Sequence, residues 1–241
     1  MLWDRHDLEL YERWLASPTG AYALAQEFRL LEWLTAPWPR RGRSLLEVGC
    51  GPGIFLDFFH RGGFDVTGLD KSPVMVQAAR ERLGDRAEYN IGDADHLPYD
   101  TDQFDYVALL TVLEFVDDPH LALKEAARVA RRAVVVGYLN RFSLYRLSAA
   151  RHKRISTARW FAPWDMRRAA RRALGPAPIH EGSVLAGPAC TWRKGFPFWG
   201  LGRLVLPLQV GAYCAFVADL TTEPPLTPIP AFAGPQATKS F

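Results

Sequence analysis

Leu45-Leu46-Glu47-Val48-Gly49-Cys50-Gly51-Pro52-Gly53 is an apolar run that ends near an acid and then places glycine at every second position. An apolar stretch of this length is the pattern of a buried strand, and the alternate glycines mark a loop too tight for Cβ atoms. Downstream, Ile54, Phe55, Phe58 and Phe59 recur at helical spacing. The order is therefore strand, glycine loop, helix, with the N–H groups of the helix N-terminus turned toward whatever the loop holds.

A dinucleotide fingerprint requires G-x-G-x-x-G, with a pyrophosphate over the helix N-terminus. Here the spacing is G-x-G-x-G, and Glu47 stands just before it, where its carboxylate would repel a pyrophosphate. A carboxylate suits a locally cationic ligand. Glu47 to Gly53 resembles the first motif of class I S-adenosylmethionine-dependent methyltransferases, the type 11-like group, whose ligand carries a sulfonium and an ammonium. The residue-level alternative is a glycine turn in another doubly wound protein. The resemblance implies a Rossmann-like α/β fold: a doubly wound, mostly parallel seven-stranded sheet with an N-terminal helical cap and a helical insertion after the fifth strand. On that pattern Glu47, Gly49, Cys50, Gly51 and Gly53 belong to the cofactor site.

Composition agrees with one core. The chain has 241 residues, 49% hydrophobic and 23% charged, which fits a single methyltransferase domain over residues 1–222 and a Pro-rich tail over 223–241. Within the domain, residues 1–42 read as the cap, 43–140 as the cofactor-binding core and 141–222 as the substrate-side segment with the last strands. Cys50, Cys190 and Cys214 show neither paired nor metal-ligand spacing, so a reducing cytoplasm and no metal are expected. Asp4, Asp7, Glu9 and Glu12 leave no signal-peptide core at the start. Phe196 to Ala218 is apolar but is broken by Pro197, Arg203, Pro207 and Gln209, so it is not read as a membrane span. Leu201 to Leu208 reads instead as a short turn or helix, and Ala212 to Ala218 as a buried strand.

In chain order, Leu8, Tyr11 and Leu15, then Leu24, Phe28 and Leu31, mark two helices broken by Ser17-Pro18-Thr19-Gly20. Tyr11, Trp14, Pro18 and Gly20 resemble the Y-x-x-W…P-x-G pattern of one branch of the family, which places Tyr11 and Trp14 on the substrate side. Their alternative role is to pack the cap on the core. Asp65 to Asp70 reads as the second strand, and a carboxylate at its end suits two ribose hydroxyls. The resemblance adds Lys71 and Met75 beside the adenine, with a core role as the alternative for Met75. Gly92-Asp93-Ala94-Asp95-His96-Leu97-Pro98 resembles the family's G-D-A-x-x-L-P segment, which implies that Asp93 accepts from the adenine amino group and the Ala94 N–H donates to the ring. His96 reads as solvated. Ala87 to Ile91 is the third strand and Phe104 to Leu110 the fourth, whose C-terminal edge puts Leu110 and Thr111 with the cofactor.

Thr111 to Pro119 matches the family's V-L-x-x-V-x-D-P shape, except that Glu114 and Phe115 stand where two histidines are common. Glu114, just past the fourth strand, is the candidate catalytic base, with helix capping as its alternative. Arg132 to Tyr138 is the fifth strand, and Tyr138 and Asn140 at its end are placed on the substrate side. From Asn140 to Arg172, ten Lys or Arg stand against the single Asp165, an excess larger than the whole chain's +3, so the remainder is net acidic. This basic segment reads as a solvated helix pair, a site for an anionic small substrate, or a nucleic-acid or anionic-lipid surface. The expected activity is transfer of a methyl group from S-adenosyl-L-methionine to O, N or C of a small molecule. Nucleic acid as the partner is disfavoured. The alternatives are an RNA methyltransferase using residues 141–172 and a non-catalytic S-adenosylmethionine-binding protein.

Overall fold

A computed structural model describes residues 2–146, 158–192 and 204–221. Two helices lead: α1 (Arg5–Ala16), opened by a capping box between Asp4 and Asp7, and α2 (Pro18–Thr35). Ser17 caps α2 by accepting from the Gly20 N–H at 3.1 Å. The break expected over four residues is therefore Ser17 alone, since proline is favoured in the first turn of a helix. There follow β1 (Ser44–Val48), α3 (Ile54–Arg61), β2 (Asp65–Asp70), α4 (Pro73–Leu83), β3 (Ala87–Ile91), β4 (Phe104–Leu110), α5 (Pro119–Val129) and β5 (Ala130–Leu139). The described chain ends with α6 (Pro163–Leu174), β6 (Ile179–Val184) and β7 (Tyr213–Asp219).

The seven strands lie in the order β3-β2-β1-β4-β5-β7-β6. The pairings from β3 through β5 are parallel, and β7 runs antiparallel to both β5 and β6. The fold is thus the mostly parallel doubly wound sheet read from the sequence. From β1 the chain winds one way to β2 and β3, and from β4 it winds the other way to β5. That reversal opens a crevice at the C-terminal ends of β1 and β4, which is where open α/β sheets bind ligands.

Each face of the sheet has its own core. Leu45, Tyr106, Val135, Ala215 and Val217 pack with Leu30 and Leu31 of α2 and Phe55 and Phe59 of α3. Leu46, Val107, Val134 and Phe216 pack on the other face with Leu123 and Ala126 of α5 and Met166 and Ala170 of α6. Because strand side chains alternate, this parity decides which residues at the strand ends look toward α2.

The N-cap of α5 is Asp118, which accepts from the His120 N–H at 2.9 Å and the Leu121 N–H at 3.2 Å. Asp118→Ala is expected to cost about 1 kcal/mol, read as a melting temperature lower by roughly 2 to 4 °C. An unchanged melting curve would remove the cap from the helix's stability.

Three expectations change or fall elsewhere. Of the turn or helix read for residues 201–208, residues 204–208 take the non-helical form, with bends at 207 and 208, and Leu206 exchanges backbone hydrogen bonds with Ser183 at 2.8 and 2.9 Å. Residues 201–203, the basic residues Arg151, Lys153 and Arg154, and the tail 223–241 lie outside the described residues. No helix among the described residues is long and apolar enough to cross a membrane.

Candidate active site

The crevice opens into a cavity of ≈ 850 Å³ that reaches from the glycine loop to α1, α2 and the start of β7. The loop's geometry follows from its glycines. Gly49 has φ +71°, and a Cβ there would come within 2.3 Å of Val112 Cγ2. Its bareness lets the chain leaving β4 close against the chain leaving β1. Thr111 makes that approach from φ 55°, a conformation costly for a β-branched residue. Gly51 differs: at φ +51° a Cβ would meet nothing within 4 Å. The space beside it belongs to the cavity wall and is free for a ligand to approach the main chain.

Most residues expected at the cofactor site line the cavity. They include Glu47, Gly49, Cys50, Gly51 and Asp70, then Lys71, Met75, Asp93 and Ala94, and finally Leu110 and Thr111. Gly53 does not line it; it is the N-cap of α3 in the left-handed region. Tyr11 and Trp14, expected on the substrate side, also line the cavity, stacked with ring centroids 6.2 Å apart.

The carboxylates differ in their surroundings. Asp70 Oδ2 accepts from the Gly51 N–H at 2.9 Å and Oδ1 from the Ser72 N–H at 2.8 Å. Burial raises its pKa, and these N–H bonds offset part of the rise. Glu47 is only 1% exposed, and its Oε2 has no hydrogen-bond partner among the described residues. Burial, and then the Asp70 charge, hold its pKa well above the usual range. A buried, unpaired carboxyl on a cavity wall is suited to a cation that would stabilise its charged form. Lys71 Nζ donates to Asp93 Oδ2 at 2.5 Å at the rim; that contact lowers the Asp93 pKa and raises that of Lys71.

Besides Gly53, three more expected residues do not line the cavity. Glu114, 4% exposed, turns inward, and its Oε1 accepts from the Leu139 N–H at 2.6 Å. Burial raises its pKa to about 8, so near neutral pH it is largely protonated behind the wall rather than exposed on it. Tyr138 lies on the α5–α6 face, opposite its neighbour Leu139, and its hydroxyl donates to Gln209 Oε1 at 2.8 Å. Asn140 is tied to the backbone, donating to the carbonyls of Gln209 at 3.2 Å and Gly211 at 3.0 Å. Strand parity explains Tyr138, and burial of polar atoms that must be paired explains Asn140.

Other residues complete the far end. Trp3 meets Phe115 edge to face at 5.4 Å, and its carbonyl accepts from Ser72 Oγ at 2.6 Å, which ties the chain start over the site. Glu27, Tyr145, Trp192 and Tyr213 also line the cavity. Burial raises the Glu27 pKa to about 7. Glu27 had a signal in the sequence, because it falls on the same helical face as Leu24, Phe28 and Leu31. A charged residue on an otherwise apolar stripe is an anomaly that periodicity exposes. Among the described residues, no group of three or more His, Cys, Asp or Glu is arranged to hold a metal ion.

A family profile described as "Methyltransferase domain" matches residues 46–136. Among curated proteins, the chain is 33% identical over 108 residues to a ubiquinone biosynthesis O-methyltransferase of Azorhizobium caulinodans, covering 43% of each chain. It is 32% identical over 123 residues to a malonyl-[acyl-carrier protein] O-methyltransferase of Salmonella typhimurium, covering 51% of this chain and 49% of that one. The matched part thus spans about half the length of these relatives. Among solved structures, a methyltransferase from Thermotoga maritima described as a possible histamine N-methyltransferase superposes with a TM-score of 0.70 at 23% identity, covering 89% of this chain and 96% of that one. Magnesium protoporphyrin IX methyltransferase from Synechocystis with bound S-adenosylhomocysteine gives 0.66 at 15% identity, covering 89% and 94%. At these identities the structural likeness establishes the fold.

Proposed function

We propose, from the premise that residues 46–136 are a methyltransferase domain of the class I kind, that this chain transfers a methyl group from S-adenosylmethionine to a small molecule. The observation that carries the reading is one continuous cavity joining a glycine loop with open space at Gly51, two carboxyls at adjacent strand ends, and an aromatic chamber beyond. Asp70 would hold the ribose hydroxyls, Glu47 would face the cationic end, and Met75 with the Asp93–Ala94 turn would flank the adenine. Bound there, the sulfonium supplies an electrophilic methyl group. The protein's contribution is to hold the acceptor in line with that methyl group and keep water out.

A purely binding role would not call for the chamber beyond Glu47. The RNA reading finds little support, because the described cations of residues 141–172 are absent from the cavity wall, where Arg13 and Lys71 are the cationic residues among those described. Arg167 of that segment instead pairs with Glu181.

Calorimetry with S-adenosylhomocysteine and with NAD tests the reading. Micromolar binding of the first and none of the second is expected, and the reverse preference would overturn the proposal. Glu47 adds a finer test. Its raised pKa means that a cationic ligand should draw off its proton, so titration with S-adenosylmethionine across a series of pH values should release protons to buffer. Glu47→Gln should abolish that release and weaken S-adenosylmethionine binding about tenfold, the effect of losing a bond to a charged group. Equal proton release in parent and variant would take Glu47 out of the site.

A further inference from the structure

We infer that the chamber between α2 and the start of β7 takes a hydroxylated aromatic ring as methyl acceptor, with Glu27 receiving the hydroxyl proton and Trp192 and Tyr213 donating hydrogen bonds to its oxygen. This rests on the methyltransferase reading above and specifies its acceptor. Its basis is a set of buried polar groups, on residues that line the chamber, that the protein leaves without partners. The Trp192 indole N–H and the Tyr213 hydroxyl are both buried, with residue exposures of 2% and 1%, and neither has a hydrogen-bond partner among the described residues. Orphaned buried donors are rare and costly, and two on residues lining one cavity point to an acceptor atom drawn in beside them.

The donor types discriminate between ligand classes. An indole N–H can only donate. An ammonium ligand, which offers donors alone, would leave Trp192 unpaired. A carboxylate ligand would satisfy Trp192 but would be brought into a chamber holding Glu27, with Glu47 on the adjoining wall. A hydroxyl oxygen accepts from Trp192 and Tyr213 while giving its own hydrogen to Glu27. The chamber is also lined by aromatic rings: Tyr145 and Trp192 pack with centroids 4.9 Å apart at 34°, and the stacked pair Tyr11 and Trp14 lines the same cavity.

Glu27 has the surroundings a proton acceptor needs. Burial is the cause of its raised pKa, about 7, with no cation accompanying it, so near neutrality it exists in both forms and can take up and return a proton. Its neighbours feel its charge: after burial, which comes first, Glu27 raises the pKa of Tyr11, Tyr145 and Tyr213, with Glu47 adding to Tyr11 and Tyr213. Asp7 lines the same cavity but is engaged in the α1 capping box. In the step proposed, the acceptor O–H bond breaks as its proton passes to the Glu27 carboxylate. The oxygen forms its bond to the methyl carbon, and the pair of the broken S–C bond stays on sulfur as a thioether. Glu27 then loses the proton to solvent.

The test uses three probes of one shape, 2-naphthol, 2-naphthoate and 2-(aminomethyl)naphthalene, titrated into full-length protein saturated with S-adenosylhomocysteine. The expected result is 2-naphthol bound at least tenfold more tightly than the other two, with that advantage reduced about tenfold in both Glu27→Gln and Trp192→Phe. Melting curves confirm that each variant is folded, and Tyr213→Phe replaces any variant that is not. If the parent fails to bind S-adenosylhomocysteine, the methyltransferase reading falls and this inference with it. If it binds S-adenosylhomocysteine but prefers the naphthoate or the amine, or if the variants keep the parent's preference, the acceptor assignment alone is overturned.

Discussion

Asp70→Ala is expected to weaken S-adenosylhomocysteine binding by two orders of magnitude or more. A hydrogen bond to a charged group contributes about 1.5 to 3 kcal/mol, and a carboxylate holding two ribose hydroxyls makes two of them, so their loss corresponds to a factor of at least about 100. The geometry adds a second contribution. Asp70 also fastens the glycine loop through Gly51 and the start of α4 through Ser72, and both N–H groups lose their acceptor in the variant. Asp70→Asn separates the contributions, because it keeps one oxygen for the backbone while removing the charge. Calorimetry with a melting curve on each variant gives the answer, and binding by Asp70→Ala within threefold of the parent would remove Asp70 from the site. Since burial raises the Asp70 pKa, parent binding should also weaken on acidification before that of an ordinary exposed carboxylate would.

The part of the cavity proposed for the cofactor was legible in the sequence because it is local. Glu47, the glycines and Asp70 sit at the ends of strands that are nearly unbroken apolar runs, and such runs are what parallel strands covered on both faces require. The observed bounds of β2, β3 and β4 are those read from the sequence. The part proposed for the acceptor was not legible, since it is assembled from α2, the residues before β7 and β7 itself, which meet only through the sheet order. Tyr138 and Tyr213 show the difficulty. Both are tyrosines near strand ends, and they are close neighbours across the antiparallel pair, where Leu139 stands opposite Tyr213. Only the register reveals that Tyr213 shares the face of α2 while Tyr138 faces α5 and α6. A shift of one residue would exchange them. Glu27 is the exception, a non-local cavity residue that its own helix's periodicity could have exposed.

Glu114→Gln should change the pH dependence of stability and leave turnover near normal. The sequence made Glu114 a candidate base, but a carboxyl with a pKa of about 8 is mostly protonated at pH 7, and its oxygen is committed to the Leu139 N–H. The sign follows from linkage. In the unfolded chain a glutamate ionises near its ordinary 4.5, whereas in the fold this one stays protonated to about 8. Between those values unfolding releases a proton, so stability falls as pH rises, by about 1.4 kcal/mol per unit. At pH 7 the accumulated loss is about 3 kcal/mol, and it levels off above the folded pKa. Glutamine keeps an acceptor for Leu139 and does not titrate, so its melting temperature should fall less than the parent's between pH 5 and 8, by roughly 6 to 12 °C. The comparison of slopes matters more than either absolute value, because the buried amide group of glutamine brings its own unpaired hydrogens. By holding the Leu139 N–H at the end of β5, Glu114 fixes a piece of the cavity wall, since Leu139 lines it, which makes Glu114 a positioning residue. Parallel pH profiles for parent and variant would refute the burial argument, and a fall in turnover of about 100-fold with an intact fold would restore Glu114 as the base.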